Sequence, residues 1–416
     1  MNPMELTPSP SPAGTQPPAG DSLPDGRRFV ALDGLRGLAA LGIVFVHYSS
    51  GLSWRLPIFA RFERFYEMSP ICLDIFLILS GFLIGGSLIR TRNAPDYYKT
   101  FYRRRCYRIL PLYYVWIAIF FVFYFVGQGW GLWPPKDMSP AFYLASFLFF
   151  IQNFFTSIIE SSFIVAPTWT LAVEEHFYLL APLFVRRLSP RRLVHVLLWI
   201  IVLAPIFRGV LFRIIGQREN WAGIASRIWS PCRADALAMG VLLAVVWRSP
   251  NVRAWVDKRM SLCALGTVAG SGVAVLLSWM ADANYGYCRT LSMAFGRTGV
   301  EVASLSVIVY LLWRPRSAVG RFFSTKVLRE LGKISYCLYL IHWGILWMIY
   351  RFILHAKFGE HLLRLDIKVA PIALLLSIAI AKVSWHYLES PLIQRSHRQL
   401  QRVSIPPMPQ QHQQTA

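Results

Sequence analysis

Charge is scarce in this chain. Of its 416 residues only 15% are Asp, Glu, Lys or Arg, where a soluble domain carries about 25%. Apolar residues make up 55% and the mean hydropathy is +0.44. A length that would otherwise suggest about three soluble domains therefore describes a chain immersed in lipid. Negative charge is scarcer still: 43 Lys and Arg stand against 21 Asp and Glu, a net +22. Nucleic-acid binding is the usual reading of such an excess. The long apolar runs argue against it and make the excess topological, because basic residues of membrane proteins gather in cytoplasmic loops. Cysteines are few and scattered: Cys72, Cys106, Cys232, Cys263, Cys288 and Cys337 form no CxxC pair. Neither a zinc site nor a disulfide framework is supported. P-loop, GxGxxG, HExxH and GxSxG motifs are missing from any fitting context, which argues against ATP hydrolysis within the chain.

What remains is eleven apolar segments, at roughly 36–54, 70–89, 109–128, 141–156, 168–185, 193–212, 234–248, 260–280, 291–313, 334–354 and 367–388. Most approach the ~20 residues that a helix needs to cross the hydrocarbon core. Basic clusters punctuate them. Arg27 and Arg28 precede the first, and Arg90, Arg92, Lys99, Arg103, Arg104, Arg105 and Arg108 separate the second from the third. Arg186–Arg187 with Arg191–Arg192, then Arg248 to Arg259, Arg314 to Lys333, and finally Arg395 and Arg398 complete the series. If every cluster is cytoplasmic, each pair must be separated by an even number of crossings. Three segments lie between the second and third clusters, so one of them does not span. Segment 141–156 is the shortest and ends in Gln152 and Asn153. The expectation is an all-α polytopic membrane protein with about ten transmembrane helices, one re-entrant or interfacial segment, and both termini cytoplasmic. An eleven-span protein that breaks the positive-inside bias once is the alternative. The transmembrane domain is expected over 29–393. Residues 1–28, Pro-rich and without the apolar core of a signal peptide, and residues 394–416 read as disordered cytoplasmic tails.

Ionisable groups at membrane depth are costly and are functional candidates by default. Arg36 and His47 stand eleven residues apart in the first segment. Eleven residues make about three turns, so the two share a face about 16 Å apart, with His47 near mid-membrane. Asp33 lies on Arg36's side. A snorkelling arginine with a hydrogen-bonded histidine is the plain reading; a histidine is also the side chain best suited to accept a proton near neutral pH. Asp74 in the second segment needs a partner or a polar cavity, whereas Gly81 and Gly85 form a GxxxG packing face. Arg105 and Arg108 share one face at the entry to the third helix. They serve either as a membrane anchor or as forks for phosphate oxygens. Glu174 and Glu175 are adjacent and cannot both face one cavity squarely, so one serves a site and the other a neighbour, unless a turn exposes both to water. Arg233 and Asp235, with Gly240, form either an ion pair within their helix or a seat for a polar acceptor. The late runs around His342 and Glu389 read as polar support for the bundle, with His342 also a candidate for the acceptor. Trp and Tyr near segment ends fit interfacial belts and require no cofactor.

Taken in order, these segments resemble the membrane-bound acyltransferase 3 family. The pattern Arg36, ten residues, His47 is similar to the family's first-helix signature. Asp74 with Ser80-Gly81-Phe82-Leu83 resembles its second-helix motif, and Arg105-Cys-Tyr-Arg108 its Arg-x-x-Arg motif. Thr168-Trp-Thr-Leu-Ala-Val-Glu174-Glu175-His-Phe-Tyr178 resembles its Trp-Ser-Leu-x-x-Glu-Glu-x-Phe-Tyr segment, with Thr170 in place of the usual Ser. Ile334-Ser-Tyr-Cys-Leu-Tyr-Leu-Ile-His342-Trp343 resembles its late Ser-Tyr-x-Leu-Tyr-Leu-x-His motif. The resemblance runs from about Leu32 to Pro391 and implies O-acylation, commonly acetylation, of a sugar hydroxyl on a cell-surface or exported glycan. Acetyl-CoA from the cytoplasm is the implied co-substrate, no metal is implied, and the bacterial inner or plasma membrane is the implied site. An SGNH-type hydrolase domain that follows the bundle in some relatives is not expected in this chain. Without it, the chain works alone or with polysaccharide-assembly partners.

On that reading Arg105 and Arg108 hold the CoA phosphates, and Arg36 either steers the same donor or orients the first helix. His47 is the general base on the acceptor hydroxyl, or else carries the acyl group itself. Glu174 or Glu175 orients His47 or binds acceptor hydroxyls, and Asp74, Arg233, Asp235 and His342 are assigned to the acceptor. Membrane lipid is the other expected partner and nucleic acid is not. A secondary transporter of a glycan or anionic substrate is the rival reading, weakened by the lack of an evident inverted repeat. A scaffold within a polysaccharide-assembly complex is the third.

Overall fold

A computed structural model describes residues 29–49, 69–126, 139–155, 164–214, 220–282, 286–355 and 369–404. Among these the structure is helical throughout, without strands. The helices are α1 (Val30–Ser49), α2 (Ser69–Arg90), α3 (Tyr97–Val126), α4 (Pro140–Leu148), α5 (Gln152–Phe155), α6 (Thr168–Arg187), α7 (Pro190–Ile214), α8 (Asn220–Ile228) and α9 (Ala234–Arg248). They continue with α10 (Pro250–Asp257), α11 (Ser261–Asp282), α12 (Gly286–Leu291), α13 (Arg297–Trp313), α14 (Ala318–Phe323), α15 (Lys326–Met348), α16 (Val369–Ser384) and α17 (Ser390–Ser404). A 3₁₀ turn at Ser230–Arg233 leads into α9. Single π-turns at Ser292–Gly296, Ile349–Ile353 and Trp385–Glu389 interrupt three of the long helices.

Eight helices among the described residues are long and apolar enough to cross a membrane, and the bent pair α10 and α11, turning by 76°, makes nine. Among the described residues the count stops short of ten. The 20-residue α6 falls short because Glu174, Glu175 and His176 make its first half polar. The expected non-spanning segment is broken: α4 has nine residues and α5 four. At 1.5 Å per residue α4 is only about 13 Å long. The turn between them holds Phe150 at φ 58°. Such irregular backbone is tolerated at membrane depth only where it is buried in protein. Gln152 and Asn153 are both fully buried. Gln152 donates to the Thr168 carbonyl at 3.1 Å, and Asn153 donates to the Ile228 carbonyl at 3.2 Å and to Ser230 at 2.9 Å. The pair thereby anchors the start of α6 and the approach to α9.

The C-terminal boundary is a correction. Residues 394–404, read above as part of a disordered tail, continue α17. Apolar Leu392, Ile393, Leu400 and Val403 recur among polar and basic residues at helical spacing, a pattern that supports an amphipathic helix. Residues 1–28 and 405–416 lie outside the described residues.

Two glycine crossings organise the bundle. α1 packs along α15, and α2 along α9. A Cβ on Gly332 of α15 would collide with the Asp33 carbonyl of α1, and one on Gly37 would lie 2.7 Å from the Gly332 nitrogen. On α2 and α9, a Cβ on Gly81 would strike the Leu237 carbonyl and one on Gly240 the Ile78 carbonyl. This is the close backbone approach that the GxxxG pattern predicts. Each pair of helices is parallel. The offset from crossing to functional group is the same on both partners: ten residues from Gly37 to His47 and from Gly332 to His342, seven from Gly81 back to Asp74 and from Gly240 back to Arg233.

Candidate functional site

The first consequence of the α1–α15 crossing is a histidine pair. His47 Nδ1 and His342 Nε2 are 2.8 Å apart, and the two rings meet edge to edge, nearly coplanar, with centroids 5.0 Å apart and 6° between their planes. His342 is fully buried and its Nδ1 lies 2.6 Å from the Tyr339 carbonyl oxygen. The neighbouring Tyr48 donates to the His342 carbonyl at 2.7 Å and lies 3.1 Å from the Ser377 hydroxyl, which ties the pair to α16. His47 sits in the last turn of α1. The group bonded to its Nδ1 is His342, where Glu174 or Glu175 was one expectation.

Beside the pair lies a cavity of about 110 Å³. Arg36, Arg105, Arg108 and Lys333 line it together with Glu174, Glu175 and Glu389. On α2 its lining runs from Ile84 to Leu73. Those eleven residues correspond to about 16 Å of depth, the same reach as from Arg36 to His47 on α1. Neither histidine lines it. Tyr339 does, and its ring stands next to the pair, 5.9 Å from the His342 ring, while Phe76 on the cavity side is 6.2 Å from Tyr339. The Tyr339 hydroxyl donates to the Pro167 carbonyl at 3.1 Å and accepts from Thr170 at 2.9 Å. Tyr339, held by these two bonds, is the lining residue that brings the cavity next to the histidines.

The cavity's polar wall is built chiefly from α3 and α6. Arg105 and Arg108 both face it, as their three-residue spacing predicts. The Arg105 guanidinium lies over the Tyr178 ring at 5.8 Å and the Phe101 ring at 6.0 Å. Both carboxylates of the Glu174–Glu175 pair reach the cavity. Glu174 spends its two oxygens on neighbours, accepting from Ser80 at 3.1 Å and from the Tyr178 hydroxyl. Sequence reasoning missed Ser80, Tyr178, Thr170, Tyr339, Lys333 and Glu389 as lining residues. Tyr178 stands one turn after Glu174, and Lys333 next to Gly332, so helical spacing alone held a signal for these two.

Asp74, Arg233 and Asp235 occupy a different place. All three are fully buried and none lines the cavity. Arg233 donates to Asp74 across the α2–α9 crossing, so the alternative of an ion pair within one helix does not hold. Arg208 meets Asp235 at 2.8 Å and Glu301 at 3.6 Å, Arg233 also meets Glu301 at 3.5 Å, and Arg297 meets Asp74 at 3.5 Å. Three arginines and three carboxylates therefore balance inside the bundle. Charges removed from water must find such partners, and the geometry turns these residues towards one another.

A family model described as an acyltransferase domain matches residues 29–385, which takes in both the histidine pair and the cavity. The chain belongs to the acyltransferase 3 family. Among curated proteins, this acyltransferase 3 chain is 24% identical over 396 residues to the O-acetyltransferase OatA of Staphylococcus aureus (strain NCTC 8325 / PS 47), covering 88% of the chain and 57% of that relative. It is 25% identical over 381 residues to the peptidoglycan O-acetyltransferase OatA of Listeria monocytogenes, covering 88% and 56%. A putative O-acetyltransferase of Staphylococcus aureus (strain COL) is 24% identical over 380 residues, with coverage of 88% and 57%. The chain thus spans a little over half the length of these relatives. No solved structure matches it.

Proposed function

We propose that the protein is an integral-membrane O-acyltransferase that moves an acetyl group from cytoplasmic acetyl-CoA to a sugar hydroxyl of a cell-surface or exported glycan. The observation that carries this reading is the cavity itself. Four cations and three carboxylates line one cavity, and its lining residue Tyr339 stands 5.9 Å from the His342 ring of the imidazole pair. Arginine forks suit phosphate oxygens, so Arg105 and Arg108, with Arg36 and Lys333 beside them, hold the phosphates of the CoA moiety. The similarity to a relative described as a peptidoglycan O-acetyltransferase supports a glycan acceptor.

In this reading His47 Nε2 takes the proton of the acceptor hydroxyl as its oxygen attacks the thioester carbonyl. The new C–O bond forms, the C–S bond breaks, and His47 returns the proton to the departing thiolate, leaving free CoA thiol and an ester. Glu174, engaged by Ser80 and Tyr178, keeps the cavity wall and the Arg105 stack in place. Asp74, Arg233 and Asp235 hold the helix frame. Both termini and the Arg36 end of the cavity are cytoplasmic in this scheme.

The deciding experiment supplies purified protein in lipid nanodiscs with acetyl-CoA and a glycan extract from the envelope of the cells that express it. The expected result is glycan-dependent release of CoA thiol and a mass gain of about 42 Da on the glycan. His47→Ala lowers the rate by about 10²–10⁴-fold, the span of positioned general-base catalysis. Glycan counterflow without thiol release would establish a transporter instead.

A further inference from the structure

The partners behind the histidine pair decide which nitrogen of His47 carries its hydrogen. Nδ1 of His342 lies 2.6 Å from the Tyr339 carbonyl oxygen, and a carbonyl only accepts. Nδ1 of His342 therefore carries the hydrogen. In the neutral ring its Nε2 then holds a lone pair and accepts, so the hydrogen in the 2.8 Å contact belongs to Nδ1 of His47. The lone pair of His47 is left on Nε2. His342 is itself held from two sides, by the Tyr339 carbonyl and by Tyr48 on its own carbonyl, in a fully buried position. The order backbone carbonyl, imidazole, imidazole gives His47 what a carboxylate gives the histidine of a hydrolytic triad: one tautomer and one ring orientation.

We propose that His342 is a positioning residue that fixes His47 as the Nδ1–H tautomer, so that Nε2 is the atom that takes the acceptor's proton. This rests on the reading of His47 as general base. As Nε2 gains the proton, positive charge develops on the His47 ring. The Nδ1–H is then already aimed at a fully buried acceptor whose own far side is tied to a carbonyl, a preorganised dipole at the developing charge. An apolar residue at 342 would remove the acceptor that favours this tautomer and so admit the other, with the hydrogen on the reacting nitrogen. A bundle support alone would not care which nitrogen of His47 is protonated.

The test uses the full chain in lipid. Histidine ¹⁵N resonances, assigned by loss of each in His47→Ala and His342→Gln, are expected to show Nδ1 protonated and Nε2 bare on both rings. A His47 protonated at Nε2 overturns the proposal. In the glycan acetylation assay, His342→Phe is expected to lower kcat by 100-fold or more with the KM for acetyl-CoA within twofold. His342→Gln, whose side-chain carbonyl accepts from Nδ1, should return to within tenfold of the parent. Activity of His342→Phe within threefold of the parent, or a glutamine variant as inactive as the phenylalanine one, overturns it too. A fully active His47→Ala fails the general-base reading itself, a result distinguishable from failure of the positioning role. If His342→Phe does not fold, the tautomers and the glutamine variant decide.

Discussion

Arg105 and Arg108 face one cavity but stand on different footings. The Arg105 guanidinium is stacked on Tyr178 and Phe101, contacts that the compact ammonium of lysine does not reproduce. Lysine keeps the charge and loses the fork that grips phosphate bidentately. The double variant Arg105→Lys, Arg108→Lys is therefore expected to raise the KM for acetyl-CoA by about tenfold while kcat changes little, because the lost contacts bind ground and transition state alike. Initial rates over a range of acetyl-CoA concentrations check this; an unchanged KM would place the donor elsewhere. At this scale much of the site was legible: an arginine pair on one face and adjacent carboxylates in a polar helix start announce themselves by charge in an apolar context. The partner of His47 did not, because its place depends on a contact 295 residues away in sequence. Asp74, Arg233 and Asp235 announced themselves for the same reason as the cavity residues, yet they answer one another.

At the scale of the helix, the crossing of α1 and α15 is where sequence turns into site geometry. Gly332 sits against the Asp33 carbonyl with no room for a Cβ. Overpacking a tight contact costs about 1–3 kcal/mol, so Gly332→Val is expected to lower stability by that amount. Ten residues on, it should part the histidines and cost more activity than the lost stability explains. Thermal unfolding in detergent, set beside the acetylation rate per folded molecule, separates the two effects; a variant that stays fully active per folded molecule would count against a register set by this glycine. The α2–α9 packing was readable from Gly81 and Gly85 because both glycines lie on one helix in GxxxG spacing. The α1–α15 packing was not, because its glycines lie on two helices and neither sequence shows the partner.

For the whole molecule, the apolar periodicity and the basic clusters gave the all-helical membrane architecture and singled out 141–156 as non-spanning. The number of crossings was less legible, because the first half of α6 is polar and α10–α11 bends, so that neither is a plain apolar span. Nor do the apolar segments reveal α17, whose sequence is largely polar and basic. The balanced set of six charges joins α2, α7, α9 and α13. Asp74→Asn would leave Arg233 and Arg297 facing a neutral amide. Removing one member of a buried pair typically costs about 3–5 kcal/mol. A fall in unfolding free energy of that size is expected, with recovery of part of it in Asp74→Leu, Arg233→Met. Chemical denaturation of the nanodisc-embedded protein measures both, and an Asp74→Asn protein as stable as the parent would mean that the network is not a structural tie.

The glycine contact between α1 and α15 also makes these two helices a lever. The contact is the fulcrum, and the histidines ride at the end of arms ten residues, or about 15 Å, long. A change of about 4° in the angle between the helices would move the imidazoles apart by about 1 Å at that radius, and a misplacement of about 1 Å can cost about 100-fold in rate. Motion too small to disturb the packing at the fulcrum is thus enough to couple or uncouple the two rings.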